Sequence, residues 1–180
     1  MRAIVLPTML RNVVTIFGDI LGDDSRTVAF LDPKEPYEGA YTVDGDEGRL
    51  GQVLTNLIDN AISFSPEGGT VSVSLQPGNR TVEIVVEDEG PGIPADRLEI
   101  IFDRFYSDRP ATDAIRGKFS GLGLSISREI VHAPGGEIIA QNRYAGRAGE
   151  DGDPVGARFI VRLPVAAQTQ RGGATGGRRS

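Results

Sequence analysis

Residues 46–66 read DEGRLGQVLTNLIDNAISFSP, and this stretch decides the fold. At 100° per residue, Leu50, Val53, Leu54, Leu57, Ile58, Ala61 and Ile62 fall on one broad apolar arc, as a helix buried against a sheet requires. The polar residues are ordered too. Asn56, Asn60 and Ser63, at i, i+4 and i+7, form a narrow stripe beside that arc. Solvated helix faces favour Glu, Lys and Arg, because the asparagine side chain competes with the backbone for hydrogen bonds. Two mid-helix asparagines at the edge of a core therefore read as ligand groups.

The 180-residue chain suits one domain with a proper core and is too short for two. A net charge of −6 argues against nucleic acid as a partner, since phosphate backbones need a basic face. The absence of cysteine excludes disulfides and thiolate metal sites. His132 is the only histidine, which nearly excludes a zinc site or a Ser-His-Asp hydrolase. No apolar run approaches the ~18 residues of a membrane span, and no signal-peptide pattern opens the chain. These features predict a soluble, cytoplasmic segment without direct membrane contact, compatible with a parent protein anchored in the inner membrane.

Outward from the central helix, 6–20 carries Leu6, Leu10, Val13, Val14 and Phe17 at helical spacing, with Pro7 in the first turn and Gly18 and Gly22 as stops. Strands are expected at 27–31 and 40–43. After the stop at Pro66, Gly68 and Gly69, Val71, Val73 and Leu75 alternate with Thr70, Ser72 and Ser74 along 70–76. With 81–87 this makes an antiparallel hairpin with one covered face. A short helix is expected over 95–105, carrying Leu98, Ile101, Phe102 and Phe105, then a polar, mobile loop to Ser120. A helix over 121–131 and strands over 137–142 and 157–163 follow. The tail 168–180, QTQRGGATGGRRS, has no hydrophobic pattern and is expected to be disordered after a single domain spanning 1–167. No internal repeat is present. The pattern predicts an α+β fold: a two-layer α/β sandwich with a mixed sheet of about five strands and about three helices on one face.

Two glycine clusters add chemistry. The segment 87–94, EDEGPGIP, ends a strand and satisfies a loose dinucleotide-binding fingerprint. Context rejects that reading, because Glu87, Asp88 and Glu89 would oppose a pyrophosphate and no strand ending in an acid follows at the required distance. Asp88 instead suits a base with an exocyclic amine, as adenine offers, while Gly90 and Gly92 permit close approach. Gly121 and Gly123 open a helix whose free N–H groups attract phosphate. A P-loop is absent, since Gly117-Lys118 is followed by Phe119.

The order of these pieces is more specific than any one of them. Asn56-xxx-Asn60, Asp88-x-Gly90-x-Gly92, Phe102-xx-Phe105 and Gly121-x-Gly123 resemble the N, G1, F and G2 boxes of sensor histidine kinases in order and spacing. The match runs from about Leu6 to Pro164. It looks like the ATP-binding catalytic domain of that family, which shares the Bergerat fold with gyrase-type ATPases, Hsp90 and MutL. The strings SGLGLSISREIV and RFYSDRP look closest to its ChvG-type members.

The resemblance implies roles residue by residue. Asn60 would give a side-chain oxygen to Mg²⁺, with Asn56 holding phosphate or ordered water beside it. Asp88 would accept the adenine amine, with Gly90, Gly92 and Ile93 around the base and Tyr106 against it. Ser120, Gly121, Leu122, Gly123 and Leu124 would cradle the phosphates, with Lys118, Arg104, Arg109 and Arg116 as candidate lid cations and Phe102 and Phe105 as lid anchors. The implied activity is donation of the ATP γ-phosphate to a histidine on a phosphoacceptor domain of the same or a separate protein, with a response regulator downstream. His132, followed by Ala133, Pro134 and Gly135, lacks the acceptor's sequence context, so the acceptor and its dimerising hairpin are expected elsewhere and this domain is expected to be a monomer.

Departures from the family pattern matter. Ser63 stands where the family often has a phosphate-touching lysine, and Lys118-Phe119 where glycines commonly precede the G2 box. Hydrolysing relatives carry a glutamate base at the position of Asn56, and an amide cannot take a proton from water, so ATP hydrolysis is expected to be slow. Two alternatives stay open: a gyrase-like ATPase and a catalytically degenerate nucleotide-binding adaptor.

Overall fold

The computed structural model describes residues 2–33, 38–103, 123–145 and 152–167. The helix at the centre of the reading above, α2, is Glu47–Phe64. Asp46 caps its start, accepting the Arg49 N–H at 3.0 Å, and Glu47 meets the positive end of the helix dipole. Ser65, ahead of Pro66, turns to extended backbone and ends it. All seven residues of the apolar arc are buried.

Five strands form the main sheet: β2 (Thr27–Leu31), β4 (Thr70–Pro77), β5 (Thr81–Glu87), β6 (Glu137–Arg143) and β7 (Gly156–Pro164), in the order β2-β4-β5-β7-β6. β2 runs parallel to β4 and the remaining neighbours are antiparallel. Register places Phe30, Val73, Val86, Phe159 and Ala140 in one row, and Leu75, Ile84, Val161 and Ile138 in the next. These rows share one hydrophobic core with α1 (Leu6–Leu21) and α2, and Val131 of α3 (Gly123–His132) joins them. The fold is the expected two-layer α+β sandwich.

The opposite face of the sheet is closed by charge. Arg162 bridges Glu83 at 3.1 Å and Glu137 at 2.8 Å, while Glu87 takes Arg143 at 2.8 Å and Arg158 at 3.0 Å. Between these rows Val85 and the Ile160 opposite it are buried but stand outside the main hydrophobic core. The arginine stems on either side are the cover their position offers.

Several local expectations are corrected. α1 passes through exposed Gly18 to Leu21 and stops at Gly22, whose φ of 52° gives the left-handed turn that favours glycine. The strand expected at 40–43 is displaced: Glu38–Tyr41 forms a 3₁₀ turn that buries Tyr41, and β3 is Thr42–Gly45. β3 pairs with an unforeseen strand, β1 (Arg2–Val5), in a separate antiparallel ribbon. The helix expected over 95–105 is two 3₁₀ turns, Ala95–Arg97 and Ile100–Phe102. A 3₁₀ turn rises ~2.0 Å per residue against ~1.5 Å, so this short segment reaches further towards the core. The tail 168–180 lies outside the described residues.

Candidate functional site

β5 ends at Glu87, and the next residue, Asp88, is a buried carboxylate at 2% exposure. Its Oδ1 accepts two backbone N–H groups, from Gly90 at 2.9 Å and from Ala157 on β7 at 3.0 Å. Its backbone N–H donates to the Ala157 carbonyl at 3.0 Å, extending the β5–β7 ladder by one residue. Both side-chain bonds fall on one oxygen, so Oδ2 has no hydrogen-bond partner among the described residues. Burial pushes the pKa of the Asp88 carboxyl above the ordinary carboxylate range, against the opposing pull of the two N–H groups and of Arg143. A buried oxygen acceptor left over in this way suits the amine of a base.

The loop after Asp88 allows no side chains at its glycines. A β-carbon on Gly90 would stand 2.6 Å from the Phe64 carbonyl at the end of α2. Gly92 has φ of 81°, and a β-carbon there would meet Pro154 at 2.5 Å and Asn142 Oδ1 at 2.8 Å. Ile93 is gripped by the Asn142 side chain, which accepts its N–H at 2.7 Å and donates to its carbonyl at 2.6 Å.

Asn56 and Asn60 occupy the half-buried edge of α2, as their spacing predicts. Asn56 Nδ2 donates to the Gly123 carbonyl and to Ser127 Oγ, each at 3.3 Å, tying α2 to the first turns of α3. A carbonyl can only accept, which fixes the orientation of the Asn56 amide and turns its oxygen away from α3. That oxygen is an acceptor, suited to a water rather than to a phosphate oxygen. Ser63 Oγ donates back to the Asn60 carbonyl at 2.9 Å, so it closes on its own helix. Leu124 is half-buried against the core, and Gly123 opens α3 beside Asn56. Phe102 is an anchor in the core, edge-on to Phe159 with ring centroids 6.3 Å apart and with Arg128 over its face at 5.8 Å.

Arg104, Phe105, Tyr106, Arg109, Arg116, Lys118, Ser120, Gly121 and Leu122 lie outside the described residues. His132 is exposed at the end of α3. Three residues that hold the site were missed in the sequence: Asn142, Arg143 and Ala157. A cleft of about 410 Å³ lined by Asp24, Ser25, Arg26, Ser65 and Glu67 shares no residue with this site. Its geometry is structural: Arg26 donates to the Ile62 carbonyl at 2.9 Å, satisfying the end of α2, and holds the Asp24 carboxyl down at about 2.

Among the described residues no helix is long and apolar enough to cross a membrane, and no cluster of three His, Cys, Asp or Glu side chains is placed to hold a metal ion. Residues 45–167 match the family described as histidine kinase-, DNA gyrase B-, and HSP90-like ATPase. The sensor protein ChvG of Rhizobium meliloti (strain 1021) is 42% identical over 91% of this chain, which spans 28% of that relative's length. The catalytic domain of histidine kinase ThkA superposes with a TM-score of 0.72 at 27% identity, covering 91% of this chain and 95% of that one. ThkA in complex with the response regulator protein TrrA matches with a TM-score of 0.69 at 27% identity, over 91% of this chain and 41% of that one. Full-length ShkA in complex with AMPPNP gives 0.71 at 27% identity, over 91% of this chain and 31% of that one. With more than half of its length matched by the family model and its sheet and helices laid out as in histidine kinase catalytic domains, the chain belongs to the histidine kinase-, gyrase- and HSP90-like ATPases.

Proposed function

We propose that residues 1–167 are a domain that binds ATP with Mg²⁺ and donates the γ-phosphate to a histidine on a separate phosphoacceptor domain. The observation that carries this reading is Asp88: a buried carboxylate with one oxygen held by two backbone N–H groups and the other without a partner among the described residues. Placed beside two glycines that admit close approach, it recognises an exocyclic amine. Asn60 supplies a hard oxygen, and with no carboxylate cluster among the described residues the ion would rest on this amide, phosphate oxygens and water. When bound, Mg²⁺ neutralises charge on the phosphates. The accepting oxygen of Asn56 would hold a water beside the ion, while Gly123 and Leu124, and by the sequence motif Ser120, Gly121 and Leu122 before them, would offer backbone N–H groups to phosphate.

In the transfer, the lone pair of a neutral imidazole nitrogen attacks the γ-phosphorus in line. The P–N bond forms as the bond to the β,γ-bridging oxygen breaks, ADP leaves, and the proton on the other ring nitrogen passes to solvent. The chain's contribution is positioning and charge neutralisation. Asn56 cannot act as a base towards water, so phosphate release without an acceptor is slow. We place the domain on the cytoplasmic side, where ATP is available, within a parent anchored in the membrane and signalling to a response regulator.

Titration calorimetry with AMPPNP and Mg²⁺ on the parent chain, Asn60→Ala and Asp88→Asn tests the assignment. Micromolar-to-millimolar binding weakened in both variants is expected. A parent chain that binds no nucleotide would overturn it and leave a degenerate adaptor as the reading.

A further inference from the structure

Two consecutive residues at the end of β6 reach the loop 88–93 from opposite sides of the sheet. Neighbouring residues on a strand face opposite ways. The register pairs Asn142 with Ala157 and continues the helix-covered row of Ile138 and Ala140, so Asn142 grips Ile93 from the core side, on both its N–H and its carbonyl. Arg143 follows on the open side, paired with Glu87 at 2.8 Å, and its Nη1 donates to the Asp88 carbonyl at 2.6 Å. The gap through which it reaches is Gly156, its partner in the register, where a β-carbon would collide with the Asp88 carbonyl and stand 3.2 Å from Arg143 Nη1. The Arg143 carbonyl also accepts the Val155 N–H at 2.8 Å, seating the segment that places Pro154 over Gly92.

We infer that Asn142 and Arg143 are positioning residues that staple the two ends of the base-recognition loop, and that the Asn142 clamp sets how well the site selects adenine over guanine. Selectivity depends on where Asp88 stands relative to the base. The oxo group that guanine carries at ring position 6, where adenine has its amine, offers no proton to a carboxylate, so a loop held rigidly rejects it, whereas a loop free to shift gives up that penalty along with part of its adenine affinity. The carboxylate is oriented by Ala157 and Gly90, and the loop that follows it is oriented by Asn142.

This inference rests on the nucleotide reading above, and the experiment separates the two. Dissociation constants for ATP and GTP with Mg²⁺ are measured by calorimetry on the parent chain, Asn142→Ala and Asn142→Asp, with circular dichroism to establish folding. Losing two hydrogen bonds predicts about tenfold weaker ATP binding in Asn142→Ala and a several-fold smaller preference for ATP over GTP. Asn142→Asp keeps the acceptor for the Ile93 N–H but sets an oxygen against the Ile93 carbonyl, so it is expected to lose selectivity as well, and it carries the test should the alanine variant not fold. With a phosphoacceptor domain added, the KM for ATP rises while the rate at saturation is retained, a split that general destabilisation would not produce. A parent that binds no nucleotide overturns both readings. A parent that binds, with folded variants whose ATP affinity and ATP/GTP ratio are unchanged, overturns this one alone.

Discussion

Asn56 Nδ2 and Ser127 Oγ lie 3.3 Å apart across the seam between α2 and α3, and the Ser127 hydroxyl that accepts this bond belongs to a fully buried residue. The amide therefore does two things: its nitrogen locks α3 in place, and its oxygen faces away. Asn56→Asp would set a carboxylate against the Gly123 carbonyl and break the lock. A loss of ~2 kcal/mol is expected, read as a fall of about 4–8 °C in Tm. Ser127→Ala, which keeps the bond to Gly123, is expected to cost about half as much. Equal melting temperatures in parent and Asn56→Asp would dismiss the lock.

Asp88 should reveal opposed pH dependences. Its folded-state value is raised by burial, so protonation stabilises the fold, and that contribution fades as pH climbs through the raised value. If Asp88 is the base acceptor as proposed, recognition needs the carboxylate, so nucleotide affinity should fall as pH drops through the same range, above that of an ordinary carboxylate. Asp88→Asn should abolish this fall and weaken ATP binding at neutral pH by at least about tenfold, while Tm holds or rises. A nucleotide affinity that is flat down to the ordinary carboxylate range would count against Asp88 as the acceptor.

Gly92→Ala combines an unfavourable φ with a collision against Pro154 and Asn142. The expected cost is ~1–3 kcal/mol, with nucleotide binding lost before the fold is. Gly68→Ala is a useful control, because it has a similar φ of 76° and no atom within 4 Å of the added carbon. It should cost stability alone.

On the open face, Arg162→Ala removes a cation that serves both Glu83 and Glu137. These side chains are partly exposed, so about 0.5–1 kcal/mol is expected, shrinking in high salt. A loss that persists in high salt would instead point to the arginine stem as cover for Ile160.

The parts of the fold that were legible in advance are those where a residue's neighbours in sequence settle its environment. The arc from Leu50 to Ile62 and the alternation of Val71, Val73 and Leu75 needed only periodicity, and the asparagine stripe stood out because its residue type is wrong for a solvated face. Gly18 misled because an exposed glycine can sit inside a helix whose other face is well packed. β1 was hidden, since Arg2–Val5 runs straight into α1 with no turn residue between them. Asn142 and Arg143 were invisible for another reason: the one closes the expected strand and the other follows it, and only the register brings them against Ile93 and Asp88.

The contacts that hold the Asp88 loop span long stretches of chain: 55 positions to Arg143 and 69 to Ala157. During synthesis the loop emerges well before the strands that shape it, and α2 can present its asparagines while Asp88 still lacks an orienting partner. With Asp88 in its proposed role, competence for nucleotide would arrive late, when the pair β6–β7 docks, and would be lost in the finished protein whenever that pair opened. Slow amide exchange at Gly90 and Ala157, slower still with nucleotide bound, would be the signature of that dependence.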